Sequence, residues 1–220
     1  MSDSAWQWDV AWQITPILLD SLKLTLWVTV VGSALAWILG LLLAAGRLSR
    51  NAALALAARE ITDFVRGTPF LIQLFFVFYV FPYAGIMLSP FLTGVLVLGV
   101  YYGAYASDTF RASILAVPKP ILESCVALNL SKRQAWMRIL LPLAVRASIP
   151  PLMNYFAMCF KETSLLVVIG LPILLGKAQE IGYESFRYLG AYTIAGIIFI
   201  VLTLPVSYLV RRLEARHVFD

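Results

Sequence analysis

A chain of 220 residues that is 61% hydrophobic and 13% charged, with mean hydropathy +0.85, lies outside the range of soluble domains, which carry about 25% charged residues. In water it would show large apolar patches that drive aggregation; in lipid it would not. The formal net charge of +5 is modest for a nucleic-acid binder, and its distribution along the chain follows membrane topology instead.

The first 22 residues contain no Lys or Arg. With no basic n-region and no small-residue cleavage site, they are not expected to form a removable leader. Trp6, Trp8 and Trp12 are expected to lie along the outer membrane surface, where tryptophan concentrates. A helix needs about 20 apolar residues to cross the hydrocarbon core. Residues 24–46 supply 23 without a charge, with Lys23 placed to snorkel at the outer end. Residues 67–107 supply 41, too many for one span and right for two, divided at Pro82-Tyr83-Ala84-Gly85 and Ser89-Pro90. Residues 147–176 hold two uncharged runs of 14 separated by Lys161-Glu162, and residues 188–210 form a last run of 23.

Basic residues decide how 147–176 is read. Thirteen of the 17 fall in three alternate segments: Arg47, Arg50, Arg59 and Arg66; then Arg111, Lys119, Lys132, Arg133, Arg138 and Arg146; then Arg211, Arg212 and Arg216. Cytoplasmic loops are enriched in Lys and Arg. One span through 147–170 puts all three on one side, whereas two would turn the tail outward. The expectation is an all-α membrane protein of about five spans, near 22–46, 64–82, 88–108, 145–170 and 188–210. The N-terminus is expected outside and the C-terminus in the cytoplasm.

Cys125 and Cys159 make no metal or redox motif and read as small packing residues. The single histidine, His217, reads as a solvated terminal residue. The chain has no phosphate-binding loop and no His/Cys cluster, so no metal site is expected. Any nucleotide chemistry must belong to a partner.

The longest polar connection, residues 112–142, reads as helix, turn, helix. Pro118 and Pro120 set the start. Asn129 can take the left-handed conformation that ends a helix. Ser131-Lys132-Arg133-Gln134 has capping-box spacing, and Pro142 is expected to end the second helix. Leu128, Leu130, Trp136, Ile139 and Leu140 suit an apolar groove on another protein, with Glu123, Lys132 and Arg133 at its rim. From the residues alone a second reading stands beside this one: an amphipathic hairpin that packs only on its own bundle.

The order Glu123, Asn129, Ile139, Leu141, Pro142 resembles the EAA loop of ABC importer permeases: Glu-Ala-Ala, three residues, Gly, nine residues, Ile-x-Leu-Pro. Ser124 and Cys125 stand for both alanines and Asn129 for the glycine. Three further stretches resemble the polar amino-acid branch: Phe64-Val65-Arg66-Gly67-Thr68-Pro69-Phe70-Leu71-Ile72-Gln73-Leu74, Gly103-Ala104-Tyr105 through Phe110-Arg111, and Lys161-Glu162-Thr163-Ser164-Leu165. The likeness covers residues 15–214. Val80–Pro82, Leu88–Gly94, Leu128–Ser131 and Asn154-Tyr155 are also similar to ectoine/hydroxyectoine permeases. The resemblance implies a type I importer permease fold, one transmembrane domain over 1–220 with 112–142 as its cytoplasmic coupling loop. It also implies a second permease subunit, a dimer of cytoplasmic ATPases carrying ATP and Mg, an extracytoplasmic solute-binding protein, and a place in the bacterial inner membrane.

Ionisable residues at membrane depth are costly and by default functional. Glu162 is read as lining the solute pathway or, alternatively, as one half of a structural ion pair; Lys161 is left between the two. The expected pocket joins Glu162, Thr163, Asn154 and Gln73 between spans two and four, Gln73 lying on the helix face of Arg66. It suits a small zwitterion, a polar amino acid or an ectoine-like solute. Tyr79, Tyr101 and Tyr102 read as packing or belt residues, and Asp108 as the i,i+3 partner of Arg111. A membrane-embedded enzyme is disfavoured, since Glu162 is the one carboxylate deep in a span and the histidine is terminal. A passive channel or scaffold would need no groove-filling loop.

Overall fold

A computed structural model describes residues 8–186 and 188–217, and all regular structure among them is helical. Helix α1, Trp8–Arg47, is 40 residues long. At 1.5 Å per residue it measures about 60 Å, roughly twice the hydrocarbon thickness. Trp8 and Trp12 lie in its opening turns. Trp12 is 74% exposed; Trp6 and the Trp8 side chain lie outside the described residues. The His217 side chain lies outside them as well.

Helix α1 packs along α4, Pro90–Leu115, more extensively than any other pair of elements. Small residues permit it. A Cβ added at Gly40 would stand 2.6 Å from the Ala106 Cβ, and one at Gly99 would stand 2.5 Å from the Leu35 Cδ2. Lipid tails provide no hydrophobic drive between helices, so close backbone approach and dispersion hold such pairs together.

Between them the chain departs from expectation. Residues 64–82 do not form one helix. Helix α2, Ala52–Gly67, ends at Thr68, whose extended backbone (φ −109°, ψ 138°) is what a residue before proline adopts. Pro69 starts α3, Phe70–Phe75, which continues through a wide π turn, Phe76–Val80, and a tighter 3₁₀ turn, Phe81–Ala84. The two arms meet at 103°. Arg66 and Gln73 therefore lie on different helices, and the expected shared face does not exist. Helix α2 buries Ala58, Thr62 and Val65 and leaves Leu54, Ile61 and Phe64 exposed. The break at 82–90 is where proline and glycine placed it: Gly85 has φ +80°, and Ser89 caps Pro90 and α4.

After α4 come α5, Lys119–Ala127, the four-residue α6, Lys132–Ala135, and α7, Leu141–Glu162. A π turn, Trp136–Leu140, joins α6 to α7 without a stop. Pro142 thus sits in the first turn of α7 and does not end a helix. The missing N–H of a proline and its clash with the carbonyl four residues back are relieved where the preceding turn is wide. Helix α7 tightens into a 3₁₀ stretch, Thr163–Ile169, which Gly170 (φ +76°) ends. Residues 132–169 thus form one span rather than two.

Helix α8, Leu174–Ser185, falls between expected spans and is held at its start by the Thr25 hydroxyl of α1, which accepts from the Leu174 N–H at 2.9 Å. Helix α9, Tyr188–His217, closes the bundle against α7 and α8. Among the described residues four helices are long and apolar enough to cross a membrane, and the bent α2–α3 pair makes a fifth if it is one span. Val28, Leu74, Leu98, Leu166 and Ile173, from five segments of the chain, form the fully buried centre.

Candidate solute and coupling sites

Glu162 closes α7 at the switch to the tighter turn, half-buried. Across the helix boundary the Tyr102 hydroxyl of α4 donates to Glu162 Oε2 at 2.8 Å. Tyr102 is one of four clustered tyrosines. Its ring meets that of Tyr101 edge-on at 5.4 Å, with Tyr105 and Tyr155 at 6.3 Å. Tyr102 therefore holds the carboxylate as well as packing, a role its apolar surroundings in the sequence did not signal. No cation pairs with Glu162 among the described residues, so a structural salt bridge is not what anchors it.

The other three expected pocket residues separate. Thr163 is buried, and its hydroxyl donates to the Phe160 carbonyl at 2.5 Å. Gln73 turns back to the bend: its amide nitrogen donates to the Val65 carbonyl at 2.8 Å, to the Thr68 carbonyl at 3.1 Å and to the Thr68 hydroxyl at 2.7 Å. A helix end leaves carbonyls without partners, and Gln73 satisfies that of Val65 while the Thr68 hydroxyl donates to that of Phe64. Asn154 is exposed on α7 with Met158 and Lys161, at spacings of four and seven that share a face. Lys161 and Ser164 line a groove of about 530 Å³ against Tyr192, Phe199 and Thr203 of α9.

At the opposite end of the tyrosine cluster, Asp108 does not pair with Arg111. It pairs with Arg47 at 2.5 Å and with Arg66, joining the ends of α1, α2 and α4. The Arg66 guanidinium also lies 5.3 Å from the centre of the Tyr105 ring. Arg111, at i+3, is exposed and lines a neighbouring cavity with Arg47 and Arg59 instead.

In the 112–142 segment the turn is built as its residues require. Asn129 has φ +51°, in the left-handed region asparagine tolerates. Both halves of the capping box are made: the Gln134 N–H donates to the Ser131 hydroxyl, and the Gln134 side chain accepts from the Ser131 N–H at 2.9 Å. Glu123, Leu128 and Asn129 are exposed, whereas Leu130 and Trp136 are half-buried. Val126 (78% exposed) and Met137 (55% exposed) extend the apolar surface beyond the residues the spacing suggested. Cys125 and Cys159 are buried free thiols.

The profile of one protein family, described as the binding-protein-dependent transport system inner membrane component, matches residues 36–218. The chain belongs to this family. The glutamine transport system permease protein GlnP of Escherichia coli K12 is 33% identical over 211 residues, covering 95% of this chain and 96% of that one. The L-cystine transport system permease protein TcyB of Bacillus subtilis is 37% identical over 213 residues, covering 94% and 91%. A crystal structure of an amino acid ABC transporter with histidines superposes with TM-score 0.84 at 29% identity, covering 93% of this chain and 95% of that one. The fold is that of an ABC importer permease, and this member of the family is a multi-pass inner-membrane component. Its family's description makes transport depend on a binding protein.

Proposed function

We propose that this chain is the translocating subunit of an ATP-driven importer for an amino acid or a related small zwitterion, ectoine-like solutes included. A solute-binding protein delivers the solute on the outer side. A second permease subunit, the same chain or a relative, completes the pathway, and a cytoplasmic ATPase dimer binds ATP and Mg and supplies the energy. The single observation that carries the reading is Glu162, a carboxylate at membrane depth held by a tyrosine and, among the described residues, by no cation. Such a group calls for a positive charge, and the ammonium or amidinium of a zwitterion supplies one. Asn154 and Lys161, on the exposed face of α7, suit the solute's carboxylate. Gln73 and Thr163 shape the site, the Gln73 amide nitrogen being held by Val65 and Thr68 and the Thr163 hydroxyl by the Phe160 carbonyl. The kinship with the glutamine and L-cystine permeases supports the solute class.

The 112–142 segment is proposed as the surface that Glu123, Leu128, Asn129, Leu130 and Trp136 present to the ATPase, with the N-terminus outside. Because α6 runs on into α7, displacement of this surface moves the helix that carries Glu162. A passive channel has no observation in its favour.

The test is uptake of labelled solute by cells expressing the complete system, with unlabelled glutamine, cystine, ectoine and a neutral sugar as competitors. Zwitterions should compete and the sugar should not. Glu162→Gln should lose or re-tune uptake while assembly and melting stay near wild type. Unchanged rate and selectivity in that variant would remove Glu162 from the pathway.

A further inference from the structure

Beside the three-helix junction at Asp108 lies a second polar cavity, of about 680 Å³, lined by Arg47, Arg59, Arg111, Asp63, Ala55 and Leu56 among others. We infer that it is a binding site for a phosphate group.

The charges are unbalanced. Arg47, Arg59 and Arg111 line it with one carboxylate, Asp63, while Asp108 and Arg66 stand behind Arg47. Asp108 is shared between Arg47 and Arg66, and Asp63 reaches Arg59 at 3.5 Å. Arg111 has no ion-pair partner among the described residues. Arg47 is fixed in place, its side chain 12% exposed and gripped by Asp108, so one of the three lining guanidiniums is ordered in advance. Planar guanidinium forks match the oxygens of a phosphate in a way a lysine cluster does not. The cavity takes an anion with several oxygens. The acid at its edge and the apolar wall of Ala55 and Leu56 disfavour a bare polyanion.

Its depth suits a headgroup. Helix α2 exposes Leu54, Ile61 and Phe64 on one flank and turns Arg59 and Asp63 toward the cavity on another. An amphipathic helix of this kind settles at the boundary between acyl chains and headgroups, and basic pockets between helix ends at that level bind anionic lipid. A phosphodiester of phosphatidylglycerol and a free inorganic phosphate offer the same chemistry to these arginines.

The test uses the full chain assembled with its ATPase. One arm places the complex in nanodiscs of phosphatidylcholine with or without phosphatidylglycerol and reads retained lipid by native mass spectrometry. The other titrates inorganic phosphate in detergent at constant ionic strength and reads the melting temperature. The wild type should bind phosphate groups saturably in at least one arm. Binding to lipid alone identifies the headgroup as the source, and a saturable response to inorganic phosphate identifies the free ion. Arg59→Gln with Arg111→Gln, both exposed positions, should weaken binding by about tenfold or more. Asp63→Asn should strengthen it. The proposal is overturned if phosphatidylglycerol and phosphatidylcholine are retained equally and inorganic phosphate has no saturable effect, or if the double variant binds as the wild type does. Loss of ATPase subunits from the double variant with phosphate binding unchanged overturns it too, and marks the cluster as a protein contact.

Discussion

Glu162 sits where α7 gives way to a tighter turn, and its one hydrogen-bond partner comes from another helix. Removing the Tyr102 hydroxyl should therefore free the carboxylate without removing it. Tyr102→Phe should cost about 1–2 kcal/mol of stability, since hydrogen bonds to charged groups are worth somewhat more and this one is half-buried. It should change the apparent affinity for solute while maximal uptake is kept, as measured by concentration-dependent transport. A loss equal to that of Glu162→Gln would show that the tyrosine binds solute itself. Glu162 was legible in the sequence because a carboxylate deep in an apolar run has few bland explanations. Tyr102 was not, because Tyr101, Tyr102 and Tyr105 are equivalent until the contact of α4 with α7 is known. Gln73 was misplaced for a related reason: its partners at Val65 and Thr68 follow from the bend at Pro69, and an uncharged run does not show a bend.

Among the elements, the 112–142 segment is the one best specified locally. Its prolines, Asn129 and the Ser131–Gln134 box are short-range signals, and the structure contains the helix, turn and cap they imply. Pro142 misled because a wide turn before it lets the helix continue. Val126→Asp should place a charge in the proposed apolar contact with the ATPase, and Glu123→Ala should remove a charge from its proposed rim. Purified complexes should lose ATPase subunits markedly in the first and slightly in the second; full retention in both would place the contact elsewhere. The junction of α1, α2 and α4 makes a separate prediction. Asp108→Asn leaves Arg47 largely buried without its partner and should destabilise the chain by about 1–3 kcal/mol. This reads out as a lower melting temperature, whereas Arg111→Gln should leave it unchanged. Equal losses would restore the expected pairing of Asp108 with Arg111.

For the whole molecule, number of spans and helical class were legible from uncharged runs and from the segregation of basic residues, both consequences of what lipid excludes. The bend in the second span, the continuous first helix and α8 were not: the bend follows from Pro69 inside an uncharged run, and α8 is fixed by a contact between distant segments, Thr25 with Leu174. The proposed orientation predicts that Ala5→Cys is labelled by an impermeant reagent from outside the cell and Lys132→Cys is not; the reverse pattern would invert the topology. The central claim, coupled import of a zwitterion, is tested most directly in proteoliposomes holding the chain with its ATPase, and with the binding protein outside. The labelled amino acid found to be taken up by the complete system should accumulate above the external concentration only when ATP and Mg are enclosed, and Glu162→Gln should abolish or re-tune that accumulation. Equilibration to the external level without ATP would show a passive channel and contradict the account.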